Sequence, residues 1–309
     1  MNNYTTPWRE KQVNTIAKLT NYRKKNRHVA GKLRQLSDPL MLDIADYIEE
    51  CGSFITMTAT SAGAVKITAA NFCRQRLCAV CAWRRQARFV ATTYPALELL
   101  TNNGFQLVFV TLTIRNVDQD SLDQAVTELS EAYTRLNRSA ICSGVQGYVR
   151  SIEVTFNQES NSWHPHIHAI WIMPADYSPI HPEYISQPEL IKAWRKALRA
   201  GYDPTVDIRL LRPTKIGTQP YIEAIKYALK PADLTAEQTA SLYYSLKGKR
   251  LISFGGLLAS LRQALAEQDP LLDHVQLRDE IIAQTVYQIS PHGGQYIITQ
   301  QIIRRNDHV

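Results

Sequence analysis

The spacing of apolar and polar positions changes several times along this chain, and each change predicts an element. Residues 7–50 read as helical, first WREKQVNTIAKLTNYRKKNRHVAGKLRQL, rich in Lys and Arg, then PLMLDIADYIEE. Residues 51–72 switch to short alternating runs with Thr, Gly and Val, the pattern of a small hairpin. CRQRLCAVCAWRRQARFVATTYPALELL returns to helix, and FQLVFVTLTIRN is a strand. In SLDQAVTELSEAYTRLNRS the apolar residues Leu122, Ala125, Val126, Leu129, Ala132, Tyr133 and Leu136 fall at helical spacing. GYVRSIEVTFN and HPHIHAIWIM read as two strands joined by a polar turn. PELIKAWRKALRAG is a helix closed by Gly201, VDIRLLR a short strand, and YIEAIKYALKP a helix stopped by Pro231. Beyond residue 235 the pattern gives more helix, a Gly-Gly break at 255–256 and a late strand in GQYIITQQIIRR.

The middle of the chain thus runs β-α-β-β-α-β-α. Strands joined by a short turn are antiparallel. The expected fold is α+β: a central antiparallel sheet with helices packed on one face. Three regions follow: a basic helical and cysteine-bearing module at 1–100, a sheet domain at 101–234, and a mostly helical C-terminal extension at 235–309.

The hairpin carries the first chemistry. Side chains two apart on a strand share a face. His164, His166 and His168 therefore point one way, while Ile167, Ala169, Trp171 and Met173 point into apolar packing. With the turn NQESNS centred between Glu159 and Ser160, Glu153 lies directly across from His166. A one-residue slip in register would remove it. Two imidazoles and a carboxylate suit a divalent cation acting as a Lewis acid on a phosphate oxygen. His164 is either a further ligand or stands just outside the set.

The cysteines give a second cluster. Cys73, Cys78 and Cys81 have C-x4-C-x2-C spacing, and Cys51 lies upstream beyond the hairpin-like stretch. Four thiolates fit tetrahedral, structural Zn²⁺. Four buried free thiols are the alternative, but CRQRLCAVCAWRR is polar around the sulfurs. Cys142 stands apart and reads as structural.

Charge adds a partner. The formal net charge is +7, and residues 1–100 hold 15 Lys and Arg against 7 Asp and Glu. A nucleic-acid surface and a solvated helix face both fit that excess. Arg84, Arg85 and Arg88 follow the cysteines and are candidate phosphate contacts. No secretory signal opens the chain, and no window reaches the ~18 apolar residues of a bilayer span. The expected location is cytoplasmic, with no membrane partner and no small-molecule substrate.

In YIEAIKYALKP, Ile222, Ile225 and Leu229 form one stripe, and Glu223, Lys226, Tyr227 and Lys230 form another. Tyrosine can attack a phosphodiester, lysines can offset phosphate charge, and a glutamate can activate water. With 15 tyrosines in the chain, the segment alone reads more readily as an ordinary amphipathic helix.

Taken together, FVTLTI, HPHIHAIW, EAIKYALKP, NFCRQRLCAVCAWRR and LKGKRLISFGGL resemble the motifs of rolling-circle plasmid replication initiators. These belong to the HUH endonuclease superfamily, in the group with one catalytic tyrosine plus a glutamate. The likeness runs from about residue 8 to 260. Ala79 departs from it, standing where the family often has proline. The resemblance implies an HUH palm (RRM-like) with Tyr227 as nicking nucleophile and Glu223 as the residue that lets hydrolysis end the cycle. It implies Mg²⁺ or Mn²⁺ at His166 and His168. It also implies origin DNA, single-stranded or extruded as a hairpin, with a host helicase and polymerase as partners. Lys226, Lys230, Lys247, Lys249 and Arg250 join the candidate DNA contacts, with solvated lysines as the even alternative. Two rival readings differ in kind: a transposase or relaxase of the same chemistry, and a zinc-containing nucleic-acid-binding regulator that does not cleave.

Overall fold

The computed structural model describes residues 7–211, 231–268, 281–290 and 294–303. Among these, no helix is long and apolar enough to cross a membrane. The chain divides into two compact units. One comprises Met1–Arg84, Thr235–Glu237 and Pro270–Val309, and the other Arg85–Leu234 and Gln238–Asp269.

The first unit starts with α1 (Pro7–Leu33) and α2 (Pro39–Glu50). Asp38 caps α2 by accepting from the Leu40 and Met41 amides, and Pro39 opens the helix. Met41, Ile44, Ala45 and Ile48 form the buried stripe of α2. The hairpin follows as β1 (Phe54–Thr60) and β2 (Val65–Ala70). These strands join β8 (Ile281–Ile289) and β9 (Tyr296–Ile303) in a sheet ordered β2-β1-β8-β9. Trp8 of α1 packs on Ala59 and Ala283.

The second unit is a five-stranded antiparallel sheet ordered β6-β3-β5-β4-β7. Its strands are β3 (Gln106–Thr113), β4 (Gly147–Asn157), β5 (Ser162–Met173), β6 (Val206–Leu211) and β7 (Ile252–Gly255). One face carries Val108, Val110, Ile167, Ala169, Trp171 and Met173. It is covered by α4 (Leu122–Asn137) and α5 (Gln187–Leu198), through residues such as Val126, Leu129, Tyr133, Leu190 and Trp194.

Three expectations are corrected. Helices lie on both faces of this sheet, not one. Leu107, Phe109, Val149, Ile170 and Ile172 make half of the second face apolar, and that half is covered. Ala96, Leu97 and Leu100 of α3 (Ala79–Asn102) and Leu258 of the helix Gly256–Gln268 cover it. The histidine end of this face stays polar.

The region 235–309 is not mostly helical, and its described parts do not form a unit of their own. IIAQTVYQI has period two, with Ala283, Thr285 and Tyr287 buried between exposed Gln284 and Gln288, so it is a strand paired with β1. At the Gly-Gly break, Gly256 has φ +56°, and a Cβ there would lie 2.2 Å from the Gln146 carbonyl oxygen. The chain turns from β7 into a helix at a point where only glycine fits.

Helix α5 ends before Gly201. Arg199 takes the left-handed conformation (φ 57°, ψ 33°), and its amide bonds back to Arg195 and Lys196.

Candidate functional site

The β4–β5 hairpin pairs Glu153 with His166 and Ser151 with His168, the register expected from the turn. Asn157 fixes that turn: its side-chain oxygen accepts from the Glu159 and Ser160 amides. β3 lies on the other side of β5 and pairs Thr111 with His168 and Thr113 with His166. Six strand positions thus meet on one face, because opposed residues in an antiparallel pair share a face.

Glu153, His166 and His168 converge there. The Glu153 Oε2 atom lies 3.3 Å from Nε2 of each histidine. All three candidate ligand atoms lie within 4.8 Å of one another. Burial raises the Glu153 carboxyl, but the two imidazoles beside it outweigh that and hold it at about 2.

The histidines are oriented from behind. His166 Nδ1 lies 3.1 Å from the carbonyl oxygen of His164. A carbonyl only accepts, so Nδ1 is the donor there and Nε2 is the atom turned toward Glu153. His168 Nδ1 lies 3.1 Å from the Thr111 hydroxyl, and the ring stacks on Phe109. Such outer partners fix which nitrogen faces a cation. His164 is outside the converging group: its Nδ1 pairs with Asn116 Oδ1 at 2.8 Å, and burial lowers its basicity.

The cysteines form the other converging group. Cys51, Cys73, Cys78 and Cys81 bring four sulfurs within 4.8 Å of one another. Cys51 lies 3.6 Å from Cys81, and Cys73 lies 3.8 Å from Cys81. Helix α3 starts at Ala79, later than its sequence suggests, because residues 73–78 wrap the sulfurs and Arg74 takes φ +59°. Backbone amides of Cys73, Arg74 and Cys81 donate to sulfur, as does Asn26 Nδ2 to Cys78 at 3.2 Å. Hydrogen bonds from the neighbouring cysteines, then from the Arg74 amide, push the Cys81 thiol strongly down. Cys51 is pushed up by the thiols it bonds to. Cys142 is separate, and burial raises its thiol to about 12.

A family model described as replication protein matches residues 64–297. The chain belongs to the replication protein family. Among its relatives is a protein named Protein rep from Streptococcus pneumoniae serotype 2 (strain D39 / NCTC 7466). The two are 32% identical over 230 residues, covering 72% of each chain. Protein rep of Bacillus amyloliquefaciens is 26% identical over 293 residues, covering 85% of this chain and 86% of that protein. Protein rep of Lentilactobacillus hilgardii is 28% identical over 284 residues, covering 85% and 83%. No solved structure matches.

In this replication protein the remaining candidates divide. Tyr227, Glu223, Lys226 and Lys230 lie outside the described residues. Arg84, Arg85 and Arg88 all stand on α3, with Arg84 and Arg88 exposed and the Arg84 guanidinium 4.0 Å over the Phe72 ring. Lys247 and Arg250 are exposed. Lys249 is an intramolecular tie instead: its Nζ lies 2.8 Å from the Asp123 carboxylate at the start of α4 and also meets the Asp123 carbonyl. Part of the basic excess at 1–100 is likewise internal. Arg23 is buried and donates to the Cys51 carbonyl, and Arg34 pairs with Asp46 and Glu49.

Sequence reasoning missed Thr111 and Asn26. Thr111 had a signal: in VFVTLTI, Thr111 and Thr113 alternate with apolar residues, so they share the histidine face. Asn26 had none, being one polar residue in a polar helix. Yet it is buried, donating to the Ile48 carbonyl and Cys78 sulfur and accepting from the Ala79 amide.

Proposed function

We propose that this replication protein initiates rolling-circle replication of a plasmid as an HUH endonuclease, nicking one strand of its origin. The observation that supports this best is the convergence of Glu153, His166 and His168 on one face of an antiparallel sheet. Two imidazoles and one carboxylate are a donor set for Mg²⁺ or Mn²⁺, which would polarise the scissile phosphate. Glu153 stays ionised at every physiological pH, and His166 turns Nε2 toward it.

In this reading Tyr227 is the nucleophile. Its phenol oxygen bonds to phosphorus, the bond to O3′ breaks, and the phenol proton leaves to the released oxygen or to solvent. The 5′ phosphate stays on Tyr227, and the free 3′-OH primes synthesis. Glu223 activates the water or hydroxyl that ends the cycle. Lys226, Lys230, Lys247 and Arg250 offset phosphate charge, as do Arg84, Arg85 and Arg88.

The four cysteines hold structural Zn²⁺. Tetrahedral zinc with ~2.3 Å bonds to sulfur separates its sulfurs by about 3.8 Å. The 3.6 and 3.8 Å separations fit that without rearrangement. The amides aimed at the sulfurs supply the donors that thiolates need.

The test is a labelled single-stranded origin incubated with Mn²⁺. Wild type forms a covalent protein–DNA adduct and Tyr227→Phe forms none. Glu223→Ala nicks but fails to turn over. Absence of an adduct with wild type, on origin DNA that the protein binds, would leave the regulator reading in place.

A further inference from the structure

Among the described residues, strand β9 is an unpaired sheet edge. No described strand pairs with its outer side, and every residue from Ile297 to Ile303 is exposed. Ile297, Ile298, Ile302 and Ile303 are 46%, 53%, 51% and 45% exposed. The segment YIITQQII contains no charge and no proline. Edge strands in monomers are usually guarded by charge, proline or a bulge, and of these β9 has only the bulge. The opposite edge of the same sheet, β2, carries Lys66.

The strand is also matched to itself. A bulge opposite Val286 and Tyr287 leaves Thr299 as the extra residue. On one side of it, Tyr296 and Ile298 share a face, since they pair with Ile289 and Tyr287. On the other side Gln301 and Ile303, paired with Thr285 and Ala283, fall on that same face. Ile297, Gln300 and Ile302 lie on the reverse face. An antiparallel copy centred between Thr299 and Gln300 then sets Ile297 against Ile302 and Tyr296 against Ile303. It also sets Ile298 against Gln301. Each of these three pairs shares a face, and apolar residues meet apolar residues at both ends.

We propose that two copies of this protein pair through β9, antiparallel about a two-fold axis, joining two four-stranded sheets into one of eight. A standard interface buries ~800 Å² per partner, and an eight-residue edge with four half-exposed isoleucines offers roughly half of that. The dimer is therefore weak and reversible. A strand from a different protein would satisfy the same edge but gives no reason for the self-matched pattern. Nothing in this pairing depends on the nicking reaction.

Sedimentation equilibrium of the full chain over roughly 1–100 µM tests it, a range that covers weak association. Wild type shifts from monomer to dimer with concentration. Ile297→Lys weakens the dimer by about tenfold or more, since each lysine faces Ile302 of the partner copy. Ile297→Lys with Ile302→Glu restores it, because the opposed pair is now Lys and Glu. Thermal melting identical to wild type shows that the single variant is folded. A wild type that stays monomeric throughout overturns the proposal, as does a dimer that Ile297→Lys leaves unchanged. Failure of the charge pair to rescue overturns the stated register.

Discussion

The two ligand clusters are built on opposite principles. The cysteine set is closed: Cys51, Cys78 and Cys81 are 1%, 0% and 3% exposed. It is tied by backbone amides and by Asn26, which links α1 to the end of α2 and the start of α3. The glutamate–histidine set is open. Its side chains are 15%, 10% and 19% exposed, and they stand on strands that already pair without them. A cation in the first place would tie together three segments of the chain, at residue 51, residue 73 and residues 78–81. A cation in the second leaves coordination positions for something else to fill. The difference teaches where each would fail when altered, one in folding and the other in chemistry.

The largest expected effect breaks the closed side. Cys78→Ser should abolish zinc binding, and the first unit should unfold. Structural zinc in small folds is linked to about 10–16 kcal/mol of apparent binding energy. Metal analysis should fall by one zinc per chain, and far-UV dichroism should keep the signal of the five-stranded sheet. Full retention of structure without zinc would make the four thiols ordinary core. Next, His166→Ala or His168→Ala should lower nicking by about 100-fold or more, the scale of losing a group that stabilises developing charge. Melting of either variant in the absence of added cation should stay within a few degrees of wild type. If the histidine variants unfold instead, the contrast between the two clusters disappears.

How much of this was legible beforehand follows the same division. Period-two and period-3.6 patterns located β3–β6, α4 and α5, because each buries one face and the pattern records it. The hairpin register was legible because its turn is short. The second apolar face was not: Leu107 and Phe109 sit in a run that is apolar on both sides, so periodicity could not say how many layers cover it. β8 was hidden by sequence distance from β1, since IIAQTVYQI pairs with a strand more than 200 residues earlier. Thiol spacing marked the cysteine set, whereas Asn26, which holds it together, is visible only once α1 and α3 meet.

A smaller effect sharpens the open side. Glu153→Gln keeps the shape of the carboxylate and removes its charge. Cation affinity should drop by about 10–100-fold, and the cation-free protein should change its acid response. The wild-type carboxyl is depressed from 4.5 to about 2 by His166 and His168, against the effect of burial. A depressed carboxyl stabilises the folded state above its ordinary value, and that stabilisation fades as pH falls from 4.5 toward 2. Wild type should therefore lose on the order of 1–2 kcal/mol across that window relative to Glu153→Gln. Equal acid melting of the two proteins would show that the carboxylate and imidazoles are not coupled.

The smallest effect compares one supporting residue from each cluster. Asn26→Ala removes a buried amide and takes one hydrogen bond each from the Ile48 carbonyl, the Cys78 sulfur and the Ala79 amide, so the first unit should lose about 1–3 kcal/mol, measured by denaturant titration. Thr111→Val is close to isosteric and removes only the hydroxyl beside His168 Nδ1. Its neighbours on β3 stay paired with β5 and β6, so stability should hardly move. The His168 ring then loses the hydrogen bond at Nδ1 and keeps the stack on Phe109 and the contact with Glu153. Mn²⁺ affinity should fall by about tenfold, the scale of losing one outer-sphere hydrogen bond. Calorimetric titration with Mn²⁺ would read it directly. A variant that binds Mn²⁺ as wild type does would show that the ring stack and Glu153 orient His168 without the hydroxyl.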